Sequence, residues 1–162
     1  MGIRQALPCD GAQLAEIYNH YITETAITFE TEEVDAEEMA GRIRSISEEG
    51  PYLVYELNNQ IVGYAYCHKW KARAAYSLSY ETTVYVRPGF ERQGIGSSLM
   101  ERLIEDCRAQ GIHALIACIT HPNEPSERLH EKLGFTRVSL FREVGRKGGS
   151  WLDVQDMELL LR

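Results

Sequence analysis

The apolar positions change period several times along the chain, and each change predicts an element. Residues 3–7 form a short β-rich run that Pro8 breaks, with Asp10 placed to cap a helix. Leu14, Ile17, Tyr18, Tyr21 and Ile22 then recur at helical spacing, which predicts a helix with one buried face. A second, acidic helix covers about 35–48 and stops at Gly50-Pro51. Residues 52–57 and 61–70 read as two strands of a hairpin turned at Asn58-Asn59. A loop with Lys71 and Arg73 leads to the longest strand candidate, 77–86. One parity of that strand carries Leu78, Tyr80, Thr82, Val84 and Val86; the other carries Ser79, Glu81, Thr83 and Tyr85. A helix begins at Gly94, buries Ile95, Leu99, Leu103, Ile104 and Cys107, and ends at Gly111. Residues 114–119 are a buried-type strand. Pro125 suits the first turn of a short helix closed by Gly134, and 135–144 and 152–161 are two last strands joined by a loop at 146–150. The order β-α-α-β-β-β-α-β-α-β-β predicts a mixed α/β domain.

Composition narrows the class. At 162 residues, 44% hydrophobic and 25% charged, the chain reads as one globular domain spanning 1–162. Its 17 Lys+Arg against 24 Asp+Glu leave a net charge of -7, which argues against a nucleic-acid partner. Cys9, Cys67, Cys107 and Cys118 form no C-x-x-C pair and read as reduced, mostly buried thiols. Cys118 and His121 have no second ligand pair, so no metal is expected. The first residues lack the apolar stretch of a signal peptide, and Ala6 stands where a myristoylation signal has Ser or Thr. The apolar run 114–119 is far short of the ~20 residues of a membrane span. A cytoplasmic protein with no membrane partner is the expectation.

The chemistry concentrates in a strand–glycine-turn–helix unit, Val84-Tyr85-Val86-Arg87-Pro88, then Arg92-Gln93-Gly94-Ile95-Gly96-Ser97. Unpaired amides and the positive dipole end of a helix, approached closely over glycine, suit a phosphate group. A P-loop is excluded because no Gly-Lys-Ser/Thr follows. A Rossmann fingerprint read from Gly94 fails because its third glycine position holds Leu99.

The Arg92-Gln93-Gly94-Ile95-Gly96 segment after Val84-Tyr85-Val86 resembles the pyrophosphate loop of the GCN5-related N-acetyltransferases (GNAT), and the element order resembles theirs. Glu91 stands where that loop usually begins with Gln or Arg. The resemblance implies the family's fold: a central, mostly antiparallel sheet with splayed middle strands and helices on both faces. It implies acetyl-CoA as co-substrate, held by the amides of Arg92 to Ser97 and by β-type pairing of the pantetheine arm along Val84, Tyr85 and Val86. Asn123, Ser126, His130, Gly134 and Phe135 stand at the offsets of a second family segment. Asn123 and Ser126 would then contact the coenzyme. His130 takes the place of the tyrosine that protonates the leaving thiolate.

The resemblance narrows further, from about residue 2 to 158. Ile17 to Ile22, Phe29-Glu30-Thr31-Glu32, Trp70-Lys71-Ala72-Arg73 with Ala75-Tyr76, and Gly145-x-Lys147 with Trp151-x-Asp153-Val154 are similar to phosphinothricin and methionine sulfoximine N-acetyltransferases. This implies a homodimer that acetylates the α-amine of a glutamate- or methionine-like amino acid. Glu81 would be the general base, its pKa raised by burial among Thr, Tyr and Val. Phe29, Ala74, Ala75 and Tyr76 would line the acceptor site, and Lys71, Arg73 or Arg142 would pair the acceptor's acidic groups. Direct attack in a ternary complex is expected, because no cysteine stands at a recognised nucleophile position. Two other readings stay open: acetylation of a polyamine, aminoglycoside or protein N-terminus, and a non-catalytic acyl-CoA sensor.

Overall fold

The computed structural model describes residues 2–162. Its elements are β1 (Gly2–Gln5), α1 (Gly11–Glu24), α2 (Ala36–Glu49), β2 (Tyr52–Leu57), β3 (Gln60–Lys69), β4 (Ser79–Val86), α3 (Ile95–Ala109), β5 (Ala114–His121), α4 (Glu124–Lys132), β6 (Thr136–Lys147) and β7 (Ser150–Leu160). Short 3₁₀ turns add Pro8–Asp10 and Ala74–Tyr76. The order matches the sequence reading. Alternation along the strands sends successive side chains to opposite faces. Leu53, Cys67, Tyr80 and Leu115 pack under α3, whereas Tyr52, Val54 and Tyr64 pack under α1 and α2. The result is a seven-stranded sheet, β1-β2-β3-β4-β5-β7-β6, with helices on both faces.

All neighbouring strands are antiparallel except β4 and β5. That parallel pairing extends only from Ser79↔Ala114 to Thr82↔Ala117. Beyond it β4 stays paired to β3 as far as Val86, and β5 stays paired to β7 as far as His121. Each half of the sheet keeps its own twist, so the two middle strands part and leave a wedge between them.

Several details differ from the sequence reading. Asp10 does not cap α1 with its side chain. Its carboxylate takes two bonds of 2.9 Å from the Arg4 guanidinium and one of 2.8 Å from the Leu7 amide, an ion pair stronger than a single amide bond to the helix. β6 and β7 run further than expected, because Gly148 and Gly149, at φ +57° and +80°, make the turn in two residues. β4 begins at Ser79, and Leu78 is exposed outside it. Only Cys67 and Cys107 are buried; Cys9 and Cys118 are exposed.

Candidate active site

Two adjoining spaces lie at the wedge. A groove of about 350 Å³ runs along the first turn of α3. A cavity of about 280 Å³ lies on the α1 face of β4 and β5. Ile27, Val84, Tyr85, Asn123 and Ser126 line both. A long ligand could therefore lie in the groove and put one end into the cavity.

The groove is built to accept an anion. Gly94, at φ +79°, turns the chain into α3 without a side-chain cap. The first bond of the helix is Ser98 N–H to Gly94 C=O, at 3.0 Å. The amides of Ile95, Gly96 and Ser97 therefore have no helical partner. α3 also has no acidic residue in its first turn, whereas α2 and α4 do (Glu37 and Glu38; Glu124 and Glu127). Its dipole is left for a ligand. The Glu91 carboxylate accepts the Gly89 amide at 2.8 Å, so this residue stabilises the loop itself. Arg92, Gly94, Ile95, Gly96 and Ser97 line the groove; Gln93 is exposed and does not.

Beside the groove, β4 offers an open backbone edge. The Arg87 amide donates to Val62 C=O, toward β3. By alternation Tyr85 and Thr83 also face β3, and the groups of Val84 and Val86 face the wedge. The Tyr21 hydroxyl donates to Val86 C=O. Both backbone groups of Val84 and the Val86 amide remain for an added strand-like ligand. Tyr85 lines the site with its ring, not its backbone.

The cavity is lined by Tyr18, Tyr66 and Tyr85 with Phe29, and by Glu81, His68, Cys118 and a row of threonines. Glu81 faces it from β4 with its side chain 30% exposed, so the deep burial expected from the sequence is absent. Cys118 stands on β5; although the residue is exposed overall, partial desolvation at the cavity wall and the nearby Glu81 and Asp156 carboxylates push its thiol well above the ordinary cysteine range. The thiol is thus held neutral, which disfavours a thiolate nucleophile. The Phe29 ring lies against the Cα of buried Gly145, where any side chain would collide with it. Thr120 Oγ1 donates to Ile27 C=O at 3.1 Å and ties the Phe29 loop to β5. Behind Tyr18, its hydroxyl bonds both Thr28 and Glu30, and Arg42 grips Glu30 through two bonds of 2.8 Å. Arg42 draws the Glu30 carboxyl below its usual range despite burial.

Other expected residues lie elsewhere. His130 is only 3% exposed and lines neither space. Its Nδ1 donates to Ser126 C=O at 2.7 Å, and its ring packs edge-on against Phe135. Burial lowers its pKa, which favours the neutral ring and disfavours a poised acid. Lys71, Arg73, Ala74, Ala75 and Tyr76 form an exposed segment that packs on itself, with Lys71 Nζ 4.3 Å from the Trp70 ring centre. Arg142 is exposed on β6. None of these six lines the cavity of this chain. Among the described residues no Lys or Arg does; Lys147 stands just behind, donating to Thr28 C=O at 2.7 Å. Sequence reasoning passed over Tyr66 and His68, whose even spacing on β3 beside Glu81's strand was the available signal. No group of His, Cys, Asp and Glu among the described residues is arranged to hold a metal, and no helix is long and apolar enough to cross a membrane.

Comparison with known proteins bears on this geometry. The acetyltransferase (GNAT) family model matches residues 14–135. Phosphinothricin N-acetyltransferase of Streptomyces viridochromogenes is 40% identical over 161 residues, covering 97% of this chain and 88% of that protein. L-methionine sulfoximine/L-methionine sulfone acetyltransferase of Salmonella typhimurium is 37% identical over 162 residues, covering 99% of this chain and 95% of that one. A solved GNAT superfamily phosphinothricin acetyltransferase of Sinorhizobium meliloti, in complex with acetyl-CoA, matches at a TM-score of 0.94 and 32% identity, covering 98% of this chain and 87% of that chain.

Proposed function

This chain belongs to the GNAT acetyltransferase family, and we propose that it acetylates the α-amine of a small glutamate- or methionine-like amino acid, of the phosphinothricin, methionine sulfoximine or methionine sulfone type. The observation that carries this reading is the adjacency of the two spaces: the anion-ready groove at α3 shares five lining residues with a cavity faced by Glu81. The relatives named for phosphinothricin and methionine sulfoximine supply the acceptor class.

In this mechanism the free amides of α3 hold the coenzyme pyrophosphate, and Val84 and Val86 pair with the pantetheine arm. The thioester then lies at the mouth of the cavity. Glu81 takes a proton from the acceptor's ammonium group, directly or through water, and the free amine attacks the acetyl carbonyl. A free strand amide of β4 stabilises the oxyanion. The attack is direct, in a ternary complex, which fits a Cys118 thiol held neutral. The departing thiolate takes its proton from solvent or from the amine, since His130 is turned away.

We further propose that two copies pair through the β6–β7 hairpin. Val138, Leu140, Phe141, Val144 and Trp151 are each about half exposed there, an apolar surface that a lone copy would leave in water. Such pairing would also bring cations to a cavity that lacks them.

The test is thiol release from acetyl-CoA with phosphinothricin, methionine sulfoximine and methionine sulfone as acceptors, against spermidine and a peptide. Saturable release with one of the first three is expected; release only with spermidine or peptide refutes the acceptor class. Glu81→Gln should lower kcat by roughly 10²–10⁴-fold with acetyl-CoA affinity near normal. Undiminished turnover would exclude Glu81 as the base.

A further inference from the structure

The cavity holds a second titratable side chain with a fixed orientation. His68 of β3 stands directly across from Glu81 in the β3–β4 register, on the same face of the sheet. Its Nδ1 lies 2.9 Å from the Lys69 carbonyl oxygen. A carbonyl oxygen only accepts, so Nδ1 carries a proton and the Nε2 lone pair is left free. Residue 69 is itself anchored, because the Glu49 carboxylate at the end of α2 accepts its amide at 2.9 Å. His68 Nε2 is 3.9 Å from Glu81 Oε2, a gap closed by a small side-chain rotation or by one water. The imidazole is 34% exposed, so its other side reaches solvent.

Glu81 must lose the proton it collects before the next turnover. With coenzyme in the groove and acceptor in the cavity, its route to bulk water is through its neighbours. Of the other titratable groups around Glu81 and His68, Tyr66 and Cys118 are held neutral, Glu49 is bonded to the strand end, and Lys69 is exposed, its carbonyl taken by His68 Nδ1. We propose that His68 is the proton exit of the reaction. The acceptor's ammonium gives a proton to the Glu81 carboxylate; the carboxylic acid passes it to His68 Nε2, forming imidazolium; the imidazolium releases it to solvent and both groups return to their starting charge. This step rests on the reading of Glu81 as the base.

The test measures turnover in dilute, weakly basic buffer with and without added imidazole. His68→Gln, shown to be folded by circular dichroism, should lose about tenfold in kcat, less than the roughly 10²–10⁴-fold of a direct acid or base, with the KM for acetyl-CoA unchanged. Added imidazole should restore the rate. His68→Phe, which keeps the ring shape, carries the same expectation. An unchanged kcat, or a loss that imidazole does not restore, overturns the proposal; the second result leaves His68 a merely structural neighbour of Glu81. The native enzyme provides a check that needs no variant: its rate should not respond to imidazole, and a rate that rises with imidazole shows that no internal exit serves it. Glu81→Gln, run alongside, separates the two ideas. A Glu81→Gln enzyme as active as the native one refutes the base, whatever His68 does.

Discussion

Two glycines, two residues apart, should respond to alanine with opposite signs. Gly94 is at φ +79° with nothing within 4 Å of an added Cβ, so the cost of Gly94→Ala is torsional. A left-handed alanine costs about 1–2 kcal/mol. Lower entropy of the unfolded chain returns about 0.4–1 kcal/mol, leaving roughly 1 kcal/mol of destabilisation. Gly96 lies in the first turn of α3 with no such strain. A Cβ there would stand 3.6 Å from Leu129 Cδ2 and 3.6 Å from Val86 Cγ2, ordinary contact on both sides. Gly96→Ala should therefore gain the helical advantage of alanine, about 0.5–1 kcal/mol, plus a little apolar burial. At ~2–4 °C per kcal/mol for a chain of this size, the two variants should melt several degrees apart, one below and one above the native protein. Urea unfolding without ligand measures both. Shifts of the same sign, or a destabilising Gly96→Ala, would refute the account of how this turn enters the helix.

Three other outcomes follow from groups around the site and core. The buried His130 ring is held neutral, below its ordinary value of 6.5. The unfolded chain then binds more protons as pH falls through ~6.5, so stability should drop there, by at most ~1.4 kcal/mol per pH unit for one proton. His130→Gln should flatten that drop in thermal melts between pH 7.5 and 5; parallel curves for the two proteins would show that the ring is not kept neutral. Cys118→Ala should keep most of its turnover, and no acetyl group should appear on the protein by mass spectrometry. Isolation of an acetyl-thioester at Cys118 would rule out direct attack. Arg4 and the Leu7 amide hold the Asp10 carboxyl below its usual range against the opposing effect of burial. That contribution is present above the unfolded value of ~3.9 and is lost as pH falls through the lower folded value. Asp10→Asn should lower Tm at pH 7 and narrow its gap to the native protein at pH 2–3; a gap that persists in acid would mean the ion pair is not the source.

The element order was legible because each element announces itself locally. The helical faces repeat Leu14, Ile17 and Tyr18, or Leu99, Leu103 and Cys107, and the turns carry Asn58-Asn59 or Gly148-Gly149. What escaped were choices between competing local bonds. Asp10 could cap a helix or pair with Arg4, and the pairing partner is in another element, invisible to spacing. Likewise, Gly145 gives no turn signal; its reason is the Phe29 ring, which arrives from more than a hundred residues away.

The site divides along the same line. The anion end of the groove, Arg92 to Ser97, lies within one continuous stretch, so its geometry is set by the helix start, and Gly94 and Gly96 mark it. The exception, Gln93, sits in that stretch but does not line the groove, which spacing in a loop does not determine. The cavity is assembled from β3, β4, β5, α1 and the Phe29 loop, and only register brings its members together. Glu81 was legible as a charge among β-formers. His68 was not, because its meaning comes from standing opposite Glu81, a fact of pairing. His130 shows the reverse case: one helical turn after Ser126, it shares a face with a groove residue, and sequence cannot tell which side of that turn the ring takes. The structure turns it inward, to the Ser126 carbonyl and Phe135. The missing cations follow the same logic. Lys71 and Arg73 lie against the aromatics of their own segment and do not line the cavity, so under the proposed function an acidic acceptor draws its countercharge from Lys147 behind Thr28 or from a second copy at the β6–β7 face. Mutating Lys147 to Met separates these sources, since it should raise the acceptor KM only if the charge comes from within the chain.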